Sequence, residues 1–240
     1  MKTINKLTEA RIKKNLSSFE DGLADMKDEG RKPFARYASF DYCFNYFQGF
    51  KNKKDIASKE NIQNSCLHLA FYLASWGMLR GSSFLLQKSI KFYEPLIKYI
   101  SDKDDDFWSI DVSNYEIDDN INKLLECVED VERILGEDGK YKVSDTLSTK
   151  IILGVFGCVP AYDQYFKLGS GLVTLNRASL LEISDFYKTE GYKKLISNEA
   201  KKVKTFEYDT CRAGKRSYTA AKVIDMIFFI EGFNLSIKTN

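Results

Sequence analysis

Hydrophobic positions recur along this chain with a period near 3.6 residues, and that period predicts helices over most of its length. Residues 8–29 place Leu16, Phe19, Leu23 and Met26 on one face behind a Thr8 N-cap, with Gly30 and Pro33 ending the helix. Residues 61–79 are apolar on nearly every face, which predicts a central buried helix. Ser82 and Ser83 precede a further apolar run over 84–100 and read as its N-cap. An acidic loop over 101–117 leads to a helix over about 118–135, with Ile121, Leu124, Leu125, Val128, Val131 and Leu135 on one face. After a turn at 136–142, Ser144 or Asp145 caps a helix that stops near Gly157.

Beyond a glycine-containing loop over 168–175, helices are expected at about 177–189 and 191–203. Residues 204–218 break the helical period. There 205–208 alternates, Ala213-Gly214 reads as a turn, and 216–218 can return as a short strand. Thr219 then caps a last helix, in which Asp225 is enclosed by Val223, Ile224, Met226 and Ile227. The expected fold is mainly α: a single compact multi-helix domain over 1–240, with one short β-hairpin near 204–218. Two helical lobes, about 1–143 and 144–240, flanking a cleft are an alternative arrangement of the same elements.

Composition narrows the class. Hydrophobic residues at 44% and charged residues at 29% mark a globular chain, and only three prolines interrupt it. No apolar run reaches the roughly 20 residues that span a bilayer, and the first residues lack a signal-peptide core. A cytoplasmic protein without membrane association is expected. The five cysteines are widely spaced and read as free thiols. With His68 as the single histidine, the usual zinc constellations are missing, and no cofactor is expected. His68 lies in an apolar helix and lacks an Arg in the six positions before it, which argues against a helical toxin-type nuclease. A nucleotide P-loop and a G-x-G-x-x-G turn are also absent.

Charge is segregated. Residues 1–100 carry 17 Lys/Arg against 10 Asp/Glu, residues 102–145 carry 5 against 15, and residues 186–222 carry 10 against 4. Basic faces of this kind bind phosphates, although lysines also simply solvate helices. Eight aromatics lie between Phe34 and Phe50, a density that reads as core before it reads as a base-stacking platform. At the Trp76-Gly77-Met78-Leu79-Arg80-Gly81-Ser82-Ser83 corner, Arg80 is free to reach solvent beside two hydroxyls and a helix N-terminus. The corner alone, or the corner with a ligand contact, fits equally.

Residues 147–166, LSTKIILGVFGCVPAYDQYF, carry the sharpest chemical signal. Asp163 lies between two tyrosines after an apolar helix, a setting that raises a carboxyl pKa unless a partner compensates. It is either a general base, or merely the N-cap of the following helix or the partner of an Arg. This segment, with LASWGMLRGSS at 73–83, resembles a group of bacterial proteins that is in turn similar to the helix-hairpin-helix DNA glycosylase superfamily. The resemblance covers about thirty residues, and Pro160 and Asp163 match the family's aspartate segment. It implies a mostly helical DNA-binding hydrolase that flips a base from the duplex and cleaves its N-glycosidic bond, in repair or phage defence.

Asp163 would then be catalytic, Trp76, Tyr162, Gln164 and Tyr165 would line the base pocket, and Arg80 and Lys150 would hold phosphates. The family hairpin reads Leu-Pro-Gly-x-Gly well upstream of its aspartate. Here Gly154 and Gly157 fall just before Asp163, so no lyase activity is expected. The alternatives are a non-enzymatic helical protein binding nucleic acid or a partner in a defence or toxin–antitoxin system, and a scaffold whose acidic 102–145 segment meets a basic partner.

Overall fold

In the computed structural model, which describes residues 3–22, 30–117 and 119–238, helix formation begins at the first expected cap. Thr8 Oγ1 accepts the Arg11 N–H at 3.2 Å and opens α1 (Glu9–Asp21), which buries Ile12, Leu16 and Phe19. The helix stops at Asp21 with Gly22 as its C-cap, short of the expected 29, and Leu23 and Met26 lie outside the described residues. α2 (Ala38–Gly49) takes the aromatic stretch inward through Phe40, Phe44 and Phe47, while Phe34 ahead of it is 92% exposed.

Two expectations need correction. α3 (Ile62–Ser75) is not the central buried helix: Leu67 and Phe71 face outward, Phe71 at 71% exposure, while Cys66, Leu69, Tyr72 and Leu73 face the core. Its all-round apolar composition concealed a one-sided burial. Nor does a long helix follow Ser83. Ser83 caps a 3-10 turn over 84–87, a second turn spans 90–93, and α4 (Glu94–Ser101) begins with Pro95 in its first turn. Proline has no N–H to continue a helix and its ring crowds the preceding turn, so the α-helix can start at 94 but cannot run through from 84.

The acidic segment holds α5 (Asp105–Trp108) and leads to α6 (Asn120–Leu135). Ser144 Oγ accepts the Leu147 N–H at 3.3 Å and caps α7 (Asp145–Phe156) as expected. α8 (Gln164–Ser170) takes the first residues of the supposed 168–175 loop. α9 (Arg177–Lys188) and α10 (Tyr192–Lys202) follow the sequence reading closely. β1 (Lys204–Phe206) and β2 (Ala213–Ser217) then pair antiparallel, so Ala213-Gly214 belongs to a strand and the connection is 207–212.

The core is organised around α11 (Ala220–Lys238), in which every residue from 220 to 233 is buried. It packs against α1, α8 and α10. Where α8 crosses it the backbones touch through Gly169 and Gly232: a Cβ on Gly232 would stand 1.8 Å from the Tyr165 carbonyl oxygen. Its N-terminus is closed from outside by Asp111, whose carboxylate accepts the Ala220 and Ala221 N–H groups at 2.8 and 2.9 Å. The hairpin is tied to α2 by Asp41, which accepts the Phe206 N–H at 3.0 Å and the Tyr218 hydroxyl at 2.5 Å. Arg31 completes this knot 2.7 Å from Asp41, and burial raises the Asp41 pKa against the pull of that guanidinium. Among the described residues, no helix is long and apolar enough to cross a membrane.

Candidate functional site

The link between α7 and α8, residues 157–163, has no regular structure yet is almost wholly buried, so its backbone polar groups need partners. Side chains provide them. Thr219 donates to the Gly157 carbonyl, Tyr115 donates to the Cys158 carbonyl at 2.6 Å, and the Ala161 N–H reaches Asp225 at 3.0 Å. The Tyr162 N–H donates to Thr149 Oγ1 and the Tyr162 carbonyl accepts from Thr146, both at 2.8 Å. Five contacts from three segments thus fix the approach to Asp163.

Asp163 is the N-cap of α8: its Oδ1 accepts the Tyr165 and Phe166 N–H groups at 3.1 and 3.0 Å. Its Oδ2 lies 2.8 Å from Lys150 Nζ, and the two side chains are 14% and 4% exposed. A compensating partner is therefore present, and both oxygens are engaged. The Lys150 ammonium also lies 4.8 Å from the Trp76 ring centroid, within cation–π range. A second buried pair, Lys222 and Asp225 at 2.8 Å, flanks the same indole from the α11 side, with Lys222 Nζ 5.7 Å from its centroid. Tyr37 stacks on Trp76 at 5.4 Å, while Trp76 and Tyr165 both meet Phe229 edge-on. Trp76 Nε1 is buried with no hydrogen-bond partner among the described residues.

Trp76, Lys150, Asp163 and Tyr165 are thus brought together. Tyr162 is not with them: it points into the core, its hydroxyl 2.9 Å from Ser179 Oγ, and burial pushes its phenol pKa up. Gln164 is exposed on the first turn of α8. His68 is half-buried and stacks on Tyr46 at 3.9 Å, with burial lowering its pKa.

Arg80 stands elsewhere, at a cavity of about 500 Å³ between the 76–83 corner and the loop entering α7. Gly77, at φ 74°, is tight against the Arg80 guanidinium, which sits 3.2 Å from where a Cβ would be. Lys140 and Lys142 line the cavity too, with Ser82, Ser83, Tyr141 and Ser144, and no acidic side chain lines it among the described residues. The two lysines went unnoticed in the sequence because they belong to its most acidic segment. Lys140 is shared with Glu137 at 3.0 Å; Arg80 and Lys142 are exposed.

A second cavity, about 590 Å³ between α1 and α10, mixes Glu9, Glu20, Asp21 and Glu199 with Lys13, Lys194 and Lys202. Asp163 lines neither cavity. Among the described residues, no three His, Cys, Asp or Glu side chains are gathered as metal ligands. No family model, no curated protein and no solved structure matches the chain.

Proposed function

We propose that this protein binds the phosphate backbone of nucleic acid, DNA in the first instance, at the Arg80 cavity. The observation that carries the reading is the convergence of Arg80, Lys140 and Lys142, from two separate segments, on one cavity that no acidic side chain lines among the described residues. A guanidinium grips phosphate oxygens in pairs, ammonium groups add point charge, and serine hydroxyls donate at the rim. Side chains of this kind set register and orientation on a strand and carry no base information. The test is fluorescence anisotropy of labelled oligonucleotides at low salt. Arg80→Ala and Lys142→Ala should each weaken binding to all sequences alike, with an unchanged melting temperature because both side chains are exposed. Unchanged affinity sinks the reading, and a collapsed melting temperature makes Arg80 a structural residue.

A second reading, DNA N-glycosylase activity at Asp163, is favoured by the meeting of Asp163, Lys150, Trp76 and Tyr165. A carboxylate held there can stabilise positive charge that develops on a sugar as its base departs. Lys150 must yield Oδ2 for this to happen. Release of free base or alkali-labile sites from DNA carrying modified bases is the assay. Asp163→Asn should cost about 2.7–4 kcal/mol of transition-state stabilisation, a hundredfold or more in rate, while DNA binding survives. Absence of base release by the wild type, or equal release by the variant, rejects it.

A further inference from the structure

Beyond the Arg80 cavity, two strongly exposed aromatics stand near exposed cations. Phe34, 92% exposed, and Tyr208, 79% exposed, are its two most solvent-facing large apolar side chains among the described residues. They belong to distant segments, yet Tyr42 joins them: its ring meets Tyr208 edge-on at 5.7 Å, and its hydroxyl donates to the Pro33 carbonyl at 2.9 Å. Phe34 follows Pro33 directly. On the other side of Phe34, the exposed Arg36 lies over the rings of Tyr37 and Trp76 at 5.2 and 5.5 Å. Trp76 begins the corner that ends in the Arg80 cavity.

A chain of contacts and sequence neighbours therefore runs from Arg80 through Gly77, Trp76 and Arg36 to Phe34, Tyr42 and Tyr208. Its far end is net positive, although the exposed Glu207 and Asp209 flank Tyr208 itself. Residues 204–218 carry four Lys/Arg against two Asp/Glu, with Arg212 and Lys215 exposed. Arg216 there is half-buried, and burial lowers its pKa against the pull of Glu207.

Two large rings left in water cost free energy, and here both stand near exposed cations. Bases offer a flat π-face to such rings, and the phosphates between them answer the arginines and lysines. A duplex hides its bases in the stack, so the rings have nothing to meet on double-stranded DNA. We infer that the Phe34–Tyr208 surface is a stacking platform for an unpaired nucleic-acid strand whose backbone enters at the Arg80 cavity. The inference rests on the nucleic-acid reading proposed above and adds the strand state that the protein selects.

The platform is the hairpin's exposed outer side and the 33–36 turn, both held rigidly by the Asp41–Arg31–Tyr218 knot. Substituting the rings leaves that knot intact.

The experiment compares three labelled probes of one length on the full chain at one low salt concentration: a single strand, its duplex, and a single strand whose central nucleotides are abasic. The single strand should bind at least tenfold more tightly than either other probe. Phe34→Ala and Tyr208→Ala should each lower single-strand affinity about fivefold to a hundredfold, with duplex affinity and melting temperature unchanged. Arg80→Ala should lower affinity for all three probes. If the abasic strand binds as tightly as the intact one, or the aromatic variants bind like wild type while Arg80→Ala does not, the platform is refuted and the phosphate site stands. If wild type binds no probe, both fall together.

Discussion

Lys150 Nζ meets Asp163 Oδ2 at 2.8 Å, and through that contact the buried side of α7 is fastened to the first turn of α8. Burying such a pair gains little over a packed apolar pair, but breaking it leaves a charge stranded in low dielectric. Lys150→Met should therefore cost about 3–5 kcal/mol in urea unfolding. Asp163→Ala should cost more, because it also removes an N-cap worth about 0.5–2 kcal/mol. Asp163→Asn keeps the cap and should fall below Asp163→Ala. Losses under about 1 kcal/mol for all three would show that the pair is solvated and loosely held.

The α8–α11 crossing makes a sharper steric prediction. A methyl on Gly232 would stand 1.8 Å from the Tyr165 carbonyl oxygen, and one on Gly169 would stand 2.1 Å from the Phe228 carbonyl oxygen. Backbone cannot yield as a flexible side chain does, so Gly232→Ala should destabilise by about 1–3 kcal/mol or more. Gly49→Ala, with nothing within 4 Å, is the control and should be neutral or stabilising by up to about 1 kcal/mol. Equal effects at both glycines in thermal melts would contradict the close crossing.

Asp111 predicts a pH dependence with a definite sign. Burial raises its pKa above the ordinary aspartate value even though the Ala220, Ala221 and Val112 N–H groups pull it down. Between the ordinary and the raised values the native state keeps a proton that the unfolded chain has released, so stability falls as pH rises across that acid interval. The advantage of wild type over Asp111→Asn, followed by denaturant midpoints, should shrink as pH climbs through it and then level off. An advantage that grows with pH would mean that the three N–H donors outweigh desolvation.

Much of the helical layout was legible because caps are local chemistry. Thr8, Ser144 and Thr219 each accept the N–H of the residue three positions on in their own helix, and neighbouring residues reveal such contacts. The burial of α11 was legible in part, since Asp225 stands among apolar residues in the sequence itself. Long-range contacts were not. Asp111 caps a helix more than a hundred positions away, and Arg31 and Asp41 close on Tyr218 across the whole chain. α3 misled because its composition is apolar all round, and composition does not say which face the fold will cover. Of the site, the segment around Asp163 was visible as a motif and its lysine partner was named without its role as partner. Lys140 and Lys142 were hidden because charge was read in blocks, whereas a cavity selects individual side chains.

The central claim, phosphate contact at the Arg80 cavity, is tested most directly by the salt dependence of binding. Each neutralised phosphate releases condensed counterions and adds about 0.9 to the slope of log affinity against log salt on duplex DNA, or about 0.7 on a single strand. Wild-type affinity should fall steeply from low to physiological salt. Arg80→Ala and Lys142→Ala should each make that slope shallower by about one contact, on every sequence tested. A wild-type slope near zero, or slopes unchanged in both variants, would contradict the account.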